Sequence, residues 1–210
     1  MILINNSERE LVDKAINFME SFYNIYQEMG SANKTFTFPK NEKDMWIRGL
    51  YPHLVEKNII YDDRFFVPDH STPKMGIGND GAGNKLEYCN IIYQLYKMAA
   101  SSVKSFKQDT VITNIIACIR MLEAYTYYFV VNKSAEVSKA LNLSGNDMKA
   151  WKEIYLPRLV ANNILKDAIF FDKNADQSSS NYGIGADGSF HNTELLHFLS
   201  QCYKYLYQHN

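Results

Sequence analysis

Apolar residues recur at helical spacing over four long stretches of the chain. Between Glu8 and Met29 the apolar positions are Leu11, Val12, Ala15, Ile16, Met19, Phe22, Tyr23 and Tyr26. Steps of three and four residues place them on one face, so the pattern predicts an amphipathic helix. Thr110 to Asn132 predicts a second and more apolar helix, and closing helices are expected from about Asn84 to Ala100 and from Thr193 to Tyr207. Each half of the chain also holds a helical stretch built around a tryptophan, with Trp151, Tyr155, Leu159 and Val160 as its apolar positions in the second half. Short apolar runs at Arg64–Val67 and Ala168–Phe171 predict strands, and Lys34–Phe38 alternates as a strand does. The most apolar stretch, Val111 to Val131, carries Asn114, Arg120 and Glu123. Charges in the middle of a bilayer span are costly, so a buried core helix is the expectation there.

This order of elements repeats. Shifting Trp46–Val67 by 105 positions gives nine identities in 22, namely Trp46/Trp151, Pro52/Pro157, Leu54/Leu159, Val55/Val160, Asn58/Asn163, Ile59/Ile164, Asp62/Asp167, Phe65/Phe170 and Phe66/Phe171. At a shift of 107 the match resumes, with Gly76–Gly81 facing Gly183–Gly188, followed by Glu87/Glu194, Tyr96/Tyr203 and Lys97/Lys204. The two additional residues fall in the polar stretch Lys173–Asn181, where a surface loop absorbs them. A unit of this length is too long for a solenoid repeat. The reading is therefore two copies of one domain, residues 1–105 and 106–210, mainly α with short β-hairpins and packed together through long helices.

In the second copy, Ser134–Ser144 reads as a short helix and tight turn, with Val137, Ala140 and Leu141 on one apolar face and Ser144 and Asn146 as N-cap candidates. A longer helix, a strand, a loop and Tyr182–Gly185 follow. This succession resembles the winged-helix fold, a helix-turn-helix followed by a two-stranded wing. The resemblance covers about 111–189 well and 46–81 in part. Plasmid replication initiators are similar in carrying two such domains. Two features depart from the pattern. Pro52 and Pro157 lie inside the expected recognition helix, where proline lacks a donor and clashes one turn back. The apolar spacing runs on across Pro157, which favours a kink over a break. In the first copy the strand-like Lys34–Phe38 stands where a helix is needed, so that copy is expected to have lost its helix-turn-helix and kept a packing role.

The resemblance implies that the exposed face of the recognition helix enters a DNA major groove while the wing touches backbone or minor groove. The residues placed to do so are Lys149, Lys152 and Arg158 on the second helix, with Asn146 from its cap and Lys173 from its wing. Their first-copy counterparts are Lys43, Arg48, Lys57 and, on the wing, Lys74. Lysine and arginine reach phosphates and guanine edges. The plainer account of these charges is a solvated helix face, because Asp44, Glu56, Asp147 and Glu153 are interspersed among them.

Charge tempers the picture. The chain of 210 residues has a formal net charge of −1. Residues 1–105 hold 12 Lys+Arg and 13 Asp+Glu, and residues 106–210 hold 10 of each. Neither half is basic as a whole, so phosphate affinity, which comes mainly from counterion release by Lys and Arg, needs a local basic face. The 46% hydrophobic content predicts a packed core. Three cysteines, Cys89, Cys118 and Cys202, form no close pair in sequence and sit in apolar helical patterns, which points to reduced thiols and a cytoplasmic location. No basic start followed by an apolar run opens the sequence, so no signal peptide is expected.

Other chemistry is weaker. Both glycine-rich turns match G-x-G-x-x-G, but neither follows a convincing central strand, and no acidic residue ends a second strand about 20 positions on. An Asp-Gly turn explains them better, with Glu87 and Glu194 then near the starts of the closing helices, where a carboxylate favours the dipole. His191 and His197 are six apart and share no helix face, and no Cys-x-x-Cys exists. The Asp62–Asp63 pair reads as turn chemistry. No nucleophile motif is present, so no enzyme activity, metal or cofactor is expected. Trp46 and Trp151 lie on an apolar stripe and are expected in the core. The rings of Tyr203, Tyr205 and Tyr207 cannot all be buried on one side of their helix, which offers a face for homodimerisation or a protein partner. The expected function is that of a duplex-DNA-binding regulatory or replication-type protein. The alternative is a protein–protein interaction module, inhibitor or adaptor that kept the fold and lost DNA.

Overall fold

In the computed structural model, which describes residues 5–29, 34–60, 81–103, 109–131, 141–165, 189–190 and 192–209, Asn5 opens the first helix with a reciprocal cap. Its side chain accepts from the Glu8 N–H at 2.9 Å, and the Glu8 carboxylate accepts from the Asn5 N–H at 2.9 Å. Two of the orphan donors of a helix start are satisfied in this way. Helix α1 (Asn6–Glu20) buries Val12, Ala15, Ile16, Phe18 and Met19. It ends at Ser21, whose hydroxyl donates to the Phe18 carbonyl at 2.6 Å. The expected single helix to Met29 is therefore broken at Ser21–Phe22, and α2 (Tyr23–Glu28) resumes after the turn.

Strand β1 (Phe36–Thr37) precedes a continuous helical stretch formed by α3 (Lys40–Asp44), a π-helical segment π1 (Met45–Leu50) and α4 (Tyr51–Glu56). After β2 (Ala82–Gly83) comes α5 (Lys85–Ser101), which Asn84 and Glu87 open with a second reciprocal cap. The second half of the chain holds α6 (Thr110–Val131), β3 (Leu141–Asn142), α7 (Gly145–Ala150), π2 (Trp151–Tyr155), α8 (Leu156–Ala161), β4 (Ser189–Phe190) and α9 (Asn192–Gln208). The described residues are mainly helical, with a small β part.

Proline explains the π segments. An α-helical register would bring the Pro52 ring against the Arg48 carbonyl and leave that acceptor without its donor. The turn widens instead. The Tyr51 N–H donates to the Trp46 carbonyl and the Leu156 N–H to the Trp151 carbonyl, both i→i−5 bonds. Pro52 and Pro157 are then the second residues of α4 and α8, where a missing N–H costs little. The expectation of a kink is thus resolved as one wide turn inside an unbroken helix.

Both helices end alike. Asn58 and Asn163 take φ of 53°, the left-handed conformation that asparagine tolerates better than most non-glycine residues. The Asn58 N–H donates to the Val55 carbonyl at 3.0 Å and the Ile59 N–H to the Leu54 carbonyl at 2.9 Å. Asn163 to Val160 and Ile164 to Leu159 repeat the same two distances. This is the Schellman arrangement, with its accompanying apolar contact supplied by buried Ile59 over Leu54 and Ile164 over Leu159.

The short strands pair across the helix rather than as a hairpin following it. β1 runs antiparallel to β2 with Phe36 opposite Gly83, and β3 antiparallel to β4 with Leu141 opposite Phe190. Leu141 was expected to finish a short helix ahead of the turn, and it lies in β3 instead. A strand precedes the tryptophan helix in both halves, so the expected difference between a retained and a lost helix-turn-helix is absent at this position. The predicted helix at 134–140, the strands at 64–67 and 168–171, and all of the glycine-rich turns except Gly81 lie outside the described residues.

Helices α5 and α9 form the centre and pack extensively on each other. α1 packs on α5, α6 packs on α9, and the tryptophan helices lie outermost, π1 and α4 on α1 and π2 on α6. Trp46 and Trp151 are fully buried. Trp46 stacks on Phe18 at 5.4 Å, and Trp151 meets Phe198 edge-on at 5.8 Å. Among the described residues, no helix is long and apolar enough to cross a membrane.

Candidate nucleic-acid interface

The buried tryptophans determine which side of each outer helix faces solvent. With Trp151, Leu156 and Leu159 turned inward, the outward positions of α7–π2–α8 include Asn146, Lys149, Lys152, Glu153, Ile154, Pro157 and Arg158. Lys149, Lys152 and Arg158 are exposed, and among the described residues none of them meets a carboxylate. Asn146 is exposed as the second residue of α7. The N-cap is Ser144, so Asn146 does not cap this helix. Asp147, the acidic residue nearest Lys149 in sequence, accepts from the Tyr125 hydroxyl at 2.9 Å and is thereby tied to α6. The same hydroxyl accepts from the Ser144 N–H at 3.3 Å, so Tyr125 anchors the start of the helix.

In the first half the equivalent surface differs. Arg48 is highly exposed but lies 4.0 Å from Asp44 one turn back. Lys57 is exposed at the C-cap of α4. Lys43 is half-buried, with its stem over Gly81, where φ is +65° and an added Cβ would stand 2.9 Å from Lys43 Cγ. Gly81 is thus required both by its backbone conformation and by the close approach of that stem. Its carbonyl accepts from the Phe38 N–H at 2.9 Å. Lys43 therefore acts in packing as well as carrying charge. Lys74 and Lys173 lie outside the described residues. A cleft lined by Asn114, Tyr155 and Arg158, among others, has room for about one water.

Sequence reasoning missed a polar seam between the two central helices. Glu123 of α6 accepts at one oxygen from Lys97 at 2.6 Å, Tyr203 at 2.8 Å and Tyr93 at 2.9 Å. Burial by itself would raise the Glu123 pKa, but the Lys97 ammonium and the two hydroxyls hold it below the ordinary value. Glu20 of α1 accepts from Tyr96 at 2.8 Å and Lys204 at 3.0 Å. Burial pushes the Tyr93, Tyr96 and Tyr203 hydroxyls upward, and the carboxylates beside them add to this. Tyr207 donates to Asp13 at 2.6 Å, and Tyr205 stacks on His209 at 3.9 Å. The rings expected to offer a dimer face are thus engaged within the chain. His197 is buried in the same region, and desolvation, then Lys204 and Lys85, lower its pKa to about 3. The signal available in sequence was the repeated Tyr-Lys pair at 96–97 and 203–204, which recurs without belonging to any motif.

No protein family, no curated protein and no solved structure matches the chain.

Proposed function

We propose that the chain is a duplex-DNA-binding protein of two winged-helix-like units, residues 1–105 and 106–210, with the helix Gly145–Ala161 as its principal reader. The observation that carries this reading is the set of three exposed cations, Lys149, Lys152 and Arg158, on one outer helix of a chain that is otherwise close to neutral. Some acidic groups are held by neighbours, while others such as Asp44, Glu56 and Glu153 are exposed. Glu20, Glu123, Asp13 and Asp147 are hydrogen-bonded by tyrosines, while Glu8 and Glu87 cap helices. The reader helix carries Lys149, Lys152 and Arg158 against Asp147 and Glu153, a small local excess of positive charge. The recurring strand, helix with π turn, asparagine cap and closing helix support two like units. The uninterrupted tryptophan helix is the feature least like a winged helix.

Anisotropy of a labelled duplex of mixed sequence tests the reading. Binding at low salt should weaken as salt rises, and reversing all three cations to glutamate should flatten the slope of log K against log salt by about 2.7, the value for three neutralised phosphates. Absence of binding at low salt, or a slope untouched by the reversal, would rule it out.

The second reading, a protein-interaction module, is favoured by a separate observation. Met45 is 53% exposed and Ile154 is 40% exposed, each within a π segment. Exposed apolar residues on an outer helix suit a protein partner. Under that reading, Met45→Ser with Ile154→Ser removes binding while cation reversal leaves it intact.

A further inference from the structure

Two carboxylates in the central seam are satisfied crosswise. Glu20, in the first half, accepts from Tyr96 of its own half and Lys204 of the other. Glu123, in the second half, accepts from Tyr203 of its own half and Lys97 of the other. Tyr96/Tyr203 and Lys97/Lys204 are equivalent at a shift of 107. Glu20 and Glu123 are equivalent at a shift of 103, and at that shift Val12, Ala15, Ile16 and Met19 fall on Ile115, Cys118, Ile119 and Leu122, all buried. The geometry repeats as well, with both tyrosine bonds at 2.8 Å and each lysine crossing to the opposite half. A contact in which residue i of one unit meets j of the other while j meets i is the signature of an isologous, twofold interface. A translational tandem would not produce it, because Lys97 would then reach forward while Lys204 reached nothing of the first half.

The layering extends the same symmetry outward. α1 and α6 flank the central pair in equivalent ways, and the tryptophan helices cover α1 and α6 in turn. We infer that the two halves are related by an approximate twofold axis through the α5–α9 seam, and that the ligand is a bipartite duplex whose two half-sites run in opposite polarity, one for each outer helix. This rests on the DNA reading above. The half-sites differ in sequence because the two faces differ. Lys149, Lys152 and Arg158 stand where the first half has Asp44, Ile47 and His53.

The test uses the full chain and a duplex selected by it from a randomised library. One half of the selected duplex is replaced in place by its reverse complement, and binding should fall about a hundredfold, as for several mismatched pairs. Footprinting supplies the second readout. Lys149→Glu with Lys152→Glu should uncover one half of the site, and Arg48→Glu with Lys57→Glu the other. Equal affinity for the half-inverted duplex, or loss of the same half in both variants, would overturn the twofold assignment and leave DNA binding standing. Failure to retain any duplex at low salt would overturn the DNA reading, and the bipartite ligand with it.

Discussion

The helix from Lys40 to Glu56 and the helix from Gly145 to Ala161 share a backbone and differ in surface. Both widen into a π turn ahead of a proline, both bury a tryptophan completely, and both are followed by an asparagine at φ 53°. On the outside the likeness stops. Arg48 is paired with Asp44, and Lys43 covers Gly81, whereas Lys149, Lys152 and Arg158 face solvent and, among the described residues, meet no carboxylate. The inner face answers to packing, which the two halves have in common. The outer faces carry no such shared packing, and there the two halves differ.

The same contrast runs through the centre. Glu123 collects three donors and Glu20 two, and the position of Asn90 on α5 is taken by His197 on α9. Buried polar groups that find partners fix the register of the helices that carry them, and a helix slipped by one turn would leave them unpaired.

The sharpest test of inner equivalence is to remove the tryptophans. Trp46→Ala and Trp151→Ala should each cost about 3–5 kcal/mol in urea unfolding, as expected for a fully buried large aromatic. A loss confined to one of them would break the equivalence. A smaller effect separates the halves by pH. His197 is neutral in the fold, with a pKa lowered to about 3, while the unfolded chain protonates near 6.5. The unfolded state therefore binds more protons below 6.5, and stability falls as pH drops from there towards 3, by about 2 kcal/mol at pH 5. Among the described groups near it are Tyr23, Phe198, Lys85 and Lys204. His197→Asn, copying the residue at the equivalent position of α5, should remove that slope, measured as the urea midpoint from pH 7 to 5.

Glu123→Gln should cost about 1–2 kcal/mol and Glu20→Gln less, because the first loses charge against more donors and both sites are partly screened by solvent. A double-mutant cycle with Lys97→Met isolates the cross-half bond, and a coupling near zero would show that the crosswise pairing holds nothing. Smallest is the asparagine cap. Asn58→Ala and Asn163→Ala should each lower stability by about 1 kcal/mol, while Asn→Gly at either site should be neutral, since the cost lies in the left-handed backbone. Thermal unfolding of the four variants checks this, and a loss on Asn→Gly equal to that on Asn→Ala would assign the role to the side chain.

Elements governed by local spacing were legible from residues alone. The closing helices lie within about a residue or two of the expected bounds, Trp46 and Trp151 are in the core, and Glu87 sits in the first turn of α5. Periodicity and capping act over one or two turns, and one sequence carries that information in full. The pairing of Phe36 with Gly83, the π turn and the seam were not legible. Lys204 meets Glu20 across 184 residues, and Tyr207 meets Asp13 across 194. Amphipathic patterning says that a helix has a second face without saying what covers it. Tyr203 and Tyr207, read as surface for a partner, are half-buried with their hydroxyls bonded inside the chain, because the packing of α9 against α5 brought carboxylates from α6 and α1 within reach. Chain-local propensities therefore determined the helices and the buried tryptophans. Long-range burial decided which polar groups became structure and which cations were left outside, because pairing a charge depends on what folding brings beside it.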